Sequence, residues 1–352
     1  MPLYSPKANT VRGVLEIIGD AVKGFAASSL FEAKLSRAVL GRSGSVHMTN
    51  PGLRPREVAG IPSTCDYLAF NSLSQWAAYR EPLAGRIQCG LRINPGMSLV
   101  RDLRYDPCRE SSKLGVPLDH VQELQDAASG RLDGISGLHF HTNSEATTFS
   151  GLLATVQHVK NYLGPLLDQV DWINIGGGYL FDSAEDMDEF HRAADLLRSA
   201  HKLDVFVEPG TAMVRRSCFL VSTVVDVFAT GGKTVAVLDT TVNHWPEVFE
   251  YDFEPDVIGD TENGKHDYVL AGGTCLAGDI FGTYAFETPL EIGSRVVFAN
   301  AGAYSLVKAH FFNGINLPAV YALRLGGEFV LKKRFTYSDF VGQWGEDQHA
   351  TV

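Results

Sequence analysis

The sequence predicts a parallel β/α barrel of the TIM type followed by a β-rich domain, an α/β plus β architecture. Three observations carry this. Eight short apolar runs alternate with amphipathic stretches up to about Val207. Some of the runs, such as 172–175, are largely apolar, as strands buried on both faces are. After about Met213 the pattern changes to segments rich in Val, Phe and Thr, with Gly and Asp turns between them. The expected domains are therefore 1–212 and 213–352.

The barrel strands are expected over 3–5, 24–27, 45–48, 67–70, 88–93, 135–141, 172–175 and 203–207. Helices are expected between them, for example over 11–22, 29–40, 118–128, 147–163 and 184–201. A doubly wound open sheet is the alternative arrangement of these elements. In the second domain, strands are expected over 218–228, 234–238, 268–270 and 295–298, and the polar tail from Ser338 reads as peripheral.

The 352 residues are 45% hydrophobic and 20% charged, enough apolar material for a large core. A net charge of -11 argues against non-specific nucleic-acid binding and suits a cationic substrate, although many enzymes are acidic simply to stay soluble. Five cysteines without a CxxC pair read as free thiols in a reducing compartment, with no zinc site. No apolar run approaches the roughly 18 residues of a membrane span and no signal sequence opens the chain, so a cytoplasmic location is expected.

Chemistry-bearing residues fall at the expected strand ends, where barrel enzymes carry their active sites. Lys7 ends the first strand and is placed to react with an aldehyde cofactor, although a lysine near a terminus is more often a solvated charge. Gly137-Leu138-His139-Phe140-His141 ends the sixth; alternation puts both histidines on one side, as an aromatic stacking partner, metal ligands or satisfied core residues. Gly176-Gly177-Gly178 follows the seventh, as a phosphate cradle or a tight turn. Glu208-Pro209-Gly210 ends the eighth, where a carboxylate can keep a pyridine nitrogen protonated or simply sit in a turn. Cys275 and Asp279 share a loop of the second domain, a possible proton relay or a small buried thiol. Each signal is weak alone. Their order asks for one ligand with an aldehyde, an aromatic ring and a phosphate.

That order, together with Ala27-Ser28-Ser29-Leu30-Phe31-Glu32-Ala33, Phe70-Asn71-Ser72-Leu73-Ser74-Gln75-Trp76, Gly90-Leu91-Arg92-Ile93-Asn94-Pro95, Ser112-Lys113-Leu114-Gly115, Cys275-Leu276-Ala277-Gly278-Asp279 and Phe312-Asn313-Gly314, resembles a known family. It is that of the pyridoxal-phosphate-dependent group IV decarboxylases of the alanine-racemase fold (fold type III), and the branch acting on carboxynorspermidine and carboxyspermidine is the most similar. The likeness runs from about Leu3 to about Leu323.

The resemblance implies pyridoxal 5'-phosphate as cofactor, with Lys7 forming the Schiff base, His141 stacking on the ring and Glu208 pairing with its nitrogen. It implies Ser144, Gly177, Gly178 and Tyr304 at the phosphate, and Arg92 near the cofactor. Cys275 would supply the proton that replaces carbon dioxide, and Asp279 would bind a substrate ammonium, with Asp239 and His244 as further substrate-side groups. It also implies a homodimer in which the second domain contributes to the partner's site, and a basic amino-acid substrate of polyamine biosynthesis. A conjugated amino acid of siderophore or antibiotic assembly, and a non-catalytic homologue, remain the alternatives.

Two positions depart from the family pattern. Its members carry a few tens of residues ahead of the lysine, supplying a strand to the β domain and a helix against the barrel. Here six precede Lys7, so that strand is expected to be missing. The ornithine-type members have an arginine just after Glu-Pro-Gly, where this chain has Thr211-Ala212; the carboxynorspermidine branch lacks it too.

Overall fold

The computed structural model describes residues 1–127, 132, 134–181 and 186–345. The chain divides into two compact units, Met1–Met213 and Val214–Val352.

In the first unit eight strands lie side by side: β1 Leu3–Tyr4, β2 Gly24–Ala27, β3 Ser45–Thr49, β4 Tyr67–Phe70, β5 Gln88–Asn94, β6 Gly137–His139, β7 Trp172–Asn174 and β8 Asp204–Phe206. Each pairs parallel with the next. The sheet closes on itself through a parallel bridge between Pro2 and Val207. At that seam Leu3 N donates to Val207 O at 2.8 Å and Val207 N to Met1 O at 3.0 Å. The eight-stranded barrel is what forms, and closure excludes the open sheet. A two-residue strand, Val116–Pro117, pairs off the side of β5.

Four strands are shorter than the sequence predicts, β7 and β8 by one and two residues at their ends. β1 stops at Tyr4 because Pro6, which has no N–H for a ladder, opens a single 3-10 turn over Pro6–Ala8. β6 keeps only Gly137–His139 of the expected 135–141. Before it, Ile135 N turns back to Leu132 O at 3.1 Å.

The helices of eight residues or more are α1 Arg12–Gly19, α2 Leu30–Leu40, α3 Leu73–Leu83, α4 Leu118–Ala127, α5 Ser150–Leu167 and α6 Met187–His201. Ser29 and Ser72 cap α2 and α3, accepting from Glu32 N and Gln75 N. Residue 128 of one expected helix and 184–185 of another lie outside the described residues. α3 lies between β4 and β5, where a helix is expected; it contains Pro82 and buries only Leu83.

Beneath the mouth, the barrel interior is an aromatic floor. Leu3, Ala26, Ala69, Trp172 and Phe206 are buried together, with Tyr67 against them. His47 stacks on Tyr67 with centroids 4.0 Å apart, and Trp172 meets Tyr67 edge-on at 5.4 Å. The indole fits because β5 and β6 carry glycines beside it. A Cβ on Gly90 would stand 2.4 Å from the Trp172 ring, and one on Gly137 2.0 Å from it. His47 Nε2 lies 3.0 Å from Ser45 Oγ, and burial pushes its pKa down to about 3, so the ring stays neutral.

The second unit is a five-stranded sheet built from β9 Leu220–Thr230, β10 Lys233–Leu238, β11 His266–Ala271, β12 Ile280–Phe286 and β13 Arg295–Phe298. Its spatial order is β12-β11-β10-β9-β13. Only β10 and β11 run parallel; the other pairs are antiparallel. Val224, Ala236, Leu238, Leu270, Phe281 and Phe298 are core residues on its inner side. The expected segments all appear as strands. β12 and the hairpin of β14 Val320–Leu323 with β15 Phe329–Lys333 are additional. The expected tail starts inside a short helix, Tyr337–Val341, and residues 346–352 lie outside the described ones.

Two outcomes follow for stability. Gly137→Ala forces a methyl into the indole, and the midpoint of thermal unfolding should drop by the equivalent of about 1–3 kcal/mol. His47 titrates near its ordinary value once unfolded but stays neutral in the fold. The unfolded chain then binds the extra proton, so stability is lost as pH falls from about 6.5 towards 3. The slope is at most about 1.4 kcal/mol per pH unit. Denaturant unfolding between pH 7 and 4 should show this slope shrinking in His47→Gln.

Candidate active site

The C-terminal ends of the barrel strands bring seven of the expected residues to one mouth. Lys7 stands in the turn directly after β1, with its side chain exposed. That turn is stitched to the residues beyond β8: Ser5 N donates to Pro209 O at 3.1 Å, and Ser5 Oγ to Glu208 O at 3.4 Å. Gly210 completes the seam, since a Cβ there would already touch Ala8 and Ser5 at 3.3 and 3.4 Å. The Lys7 ammonium therefore acts on His141 and Glu208 through its charge.

Glu208 is tied into the wall. Its backbone N donates to Gly176 O at 2.7 Å, and its Oε1 accepts Asn174 Nδ2 at 2.7 Å. The Asn174 amide is itself fixed, because Oδ1 accepts Gly176 N at 2.9 Å. His139 Nε2 lies 3.5 Å from the same Oε1. Burial alone would raise the Glu208 carboxyl. The His139 ring aimed at it and the Lys7 cation outweigh burial and hold it far below the usual carboxylate range.

His141 lies two residues past β6. Its Nδ1 accepts the backbone N–H of Gly177 at 3.0 Å, which puts the ring proton on Nε2. Burial, with the Lys7 and Arg92 cations nearby, drives its pKa well below the ordinary value, so this ring too is neutral.

The glycine turn is dictated by close approach. A Cβ on Gly176, Gly177 or Gly178 would lie 2.4 Å from Phe140 O, 2.0 Å from Glu208 O and 2.0 Å from Asn143 O respectively. Gly176 and Gly178 also hold φ of 69° and 88°. Ser144, exposed, neighbours Gly178. Because the Gly177 N–H goes to His141, Gly177 offers a ligand space and not that donor. Arg92 is buried on β5 with no partner for its Nε, level with His139 on β6.

The remaining expected residues lie on loops of the second unit. Cys275 is exposed, and its backbone N–H donates to Asn313 Oδ1 at 3.0 Å. Asn313 sits at φ 54°, a left-handed conformation that asparagine tolerates. Asp279 is buried. Its carboxylate accepts Val242 N at 2.8 Å, Thr274 N at 3.0 Å and Thr274 Oγ1 at 2.5 Å. Three internal donors make it the organiser of the Cys275 loop. Asp239 Oδ1 likewise accepts Ser222 Oγ and Thr223 N at 2.6 and 2.7 Å; burial opposes, but these donors hold its pKa low. His244 is buried, with Nδ1 2.9 Å from Thr240 Oγ1, and burial pushes its pKa down to about 4. Tyr304 stands at φ 53° in the loop after β13.

Sequence reasoning weighed His139 only as the companion of His141 and gave no site role to Asn174 and Asn313. A polar residue inside an apolar strand run, as in Trp172-Ile173-Asn174-Ile175, was the available signal. Among the described residues no group of three or more His, Cys, Asp or Glu forms a metal site.

Comparison with known proteins gives one answer at several levels. Residues 1–215 match the family model of the pyridoxal-dependent decarboxylases, pyridoxal binding domain. A carboxyaminopropylagmatine decarboxylase of Synechocystis is 37% identical over 93% of this chain and 84% of its own length. A carboxynorspermidine/carboxyspermidine decarboxylase of Herminiimonas arsenicoxydans is 32% identical over 96% and 90%. The crystal structure of carboxynorspermidine decarboxylase from Campylobacter jejuni, complexed with norspermidine, superposes with a TM-score of 0.85 at 28% identity, over 97% of this chain and 92% of that one.

Pyridoxal phosphate fits the residues at the mouth. They offer an amine, an anionic carboxylate, a neutral flat ring, a turn without side chains and a buried guanidinium whose Nε has no partner. On the family match and the near full-length relatives, this chain belongs to the pyridoxal-dependent decarboxylases.

Proposed function

We propose that this chain decarboxylates an amino acid carried on a long cationic arm, of the carboxynorspermidine and carboxyspermidine type, in polyamine biosynthesis. The observation that carries the chemistry is the Glu208 carboxylate, held anionic at the barrel mouth beside Lys7. The substrate class rests on the relatives, whose names share a carboxylated polyamine. The Synechocystis relative, at 37% identity, favours a guanidinium-tipped arm as a second reading.

When bound, pyridoxal phosphate supplies a ring that accepts the electron pair left by carbon dioxide. Lys7 holds it through its amine. Glu208 keeps the proton on the ring nitrogen, and His141 presents a neutral face. Gly178, Ser144 and Tyr304 hold the phosphate, Gly177 permits its close approach, and Arg92 balances charge near the ring. Cys275 delivers the proton that replaces the lost carboxylate, and Asn313 and Asp279 fix the loop that carries it. Asp239 and His244 would serve as further substrate-side groups.

The proposal includes a cytoplasmic homodimer with shared sites. All five cysteines are free, which suits a reducing compartment, and among the described residues no helix is long and apolar enough to cross a membrane.

Incubation with carboxynorspermidine, carboxyspermidine and carboxyaminopropylagmatine should release carbon dioxide. Lys7→Ala should lose both that release and the absorption band of the lysine-bound cofactor. Release from none of the three would defeat the substrate assignment. The shared site is tested by mixing Lys7→Ala with Cys275→Ala, each nearly inactive alone. Random heterodimers should recover about a quarter of the wild-type rate, since one site in each mixed dimer is intact. No recovery after subunit exchange would argue for sites made within one chain.

A further inference from the structure

We infer that His139 is a positioning residue, which aims the Glu208 carboxylate from inside the barrel wall and keeps its charge available to the cofactor. The inference rests on the reading that Glu208 faces the ring nitrogen.

His139 closes β6 and is 3% exposed, yet neither of its ring nitrogens has a hydrogen-bond partner. A buried polar group left in that state costs about 1–3 kcal/mol, so a core that keeps one needs a reason. Its Nε2 is aimed at Glu208 Oε1 from 3.5 Å. An approach of about 0.5 Å would make that contact a hydrogen bond.

The other donor to Oε1 cannot adjust. Asn174 is level with His139 on the neighbouring strand, and its amide is held by Gly176 N on one side and Glu208 on the other. Both wall contacts fall on Oε1, which leaves Oε2 to meet the ring nitrogen. His139 is then the movable member of the pair, able to close on Oε1 when the carboxylate is drawn towards a ligand.

The charge state suits this task. Burial pushes the His139 pKa down, so it meets Glu208 as a neutral imidazole. A neutral donor orients the carboxylate without cancelling it. A cation at that place would pair with Glu208 inside the wall and weaken its hold on the ring nitrogen. Arg92, level with His139 on its other side, disfavours a second cation there.

The test is a double-mutant cycle on the full-length chain, read as affinity for pyridoxal phosphate through the absorption of the bound cofactor. H139L should weaken binding about tenfold, the scale of one hydrogen bond to a charged group. H139N, which keeps a donor, should recover most of the loss. In an E208Q background H139L should change affinity by less than about twofold. An equal loss in both backgrounds, or H139N no better than H139L, would show His139 to be packing alone and overturn the proposal. Should H139L not fold, H139Q and H139M, a donor and a non-donor of similar length, form the same cycle. If E208Q itself leaves affinity and absorption unchanged, the assignment of Glu208 fails, and the positioning role with it.

Discussion

The mouth of the barrel exists because β1 lies between two neighbours. On one side it pairs with β2. On the other, backbone hydrogen bonds run from Leu3 and Ser5 to Val207 and Pro209. These bonds close the sheet, and they also carry on past the last residue of β1, so that the turn holding Lys7 is sewn to the segment holding Glu208. Two groups at opposite ends of the unit's sequence become neighbours with no side-chain contact needed to place them. The positions of His141, Asn174 and the glycine turn follow from their being the next strand ends around the same ring.

The interior is graded from bottom to top. The lower layer is aromatic, and even its histidine is neutral and stacked. The layer above holds Arg92, His139 and Asn174, level on adjacent strands, with Glu208 beside them. A carboxylate and a guanidinium are expensive to bury, and each is tolerable only where partners surround it or where one face remains open to a ligand. The floor supplies the stability that this polar layer consumes.

Much of this was legible in the sequence. The barrel strands could be read because buried parallel strands are short and apolar, and Lys7, His141 and Glu208 because barrel chemistry gathers at strand ends. What resisted reading was set by packing between strands. Gly90 and Gly137 look like ordinary strand glycines until the Trp172 ring is seen against them. Gly177 reads as a phosphate donor, but its N–H is taken by His141. The three donors that converge on Asp279 from its own unit come from Val242 and Thr274, a convergence that only folding brings about. His139 reads as a twin of His141 by alternation. Only the structure shows one ring with a partner and the other with none.

The seam has a consequence for how the molecule is made. Ser5 and Glu208 are 203 positions apart, among the longest connections in the first unit. Lys7 leaves the ribosome long before its neighbour does, so β1 can join β2 early but must present an unpaired edge until β8 arrives. Contacts of such separation form late and slowly, and an open strand edge in the meantime invites pairing with other chains. A ligand that grips both sides of the seam binds only after closure. It therefore stabilises the finished barrel by mass action, and the same ligand that serves the chemistry also holds the first-made strand to the last.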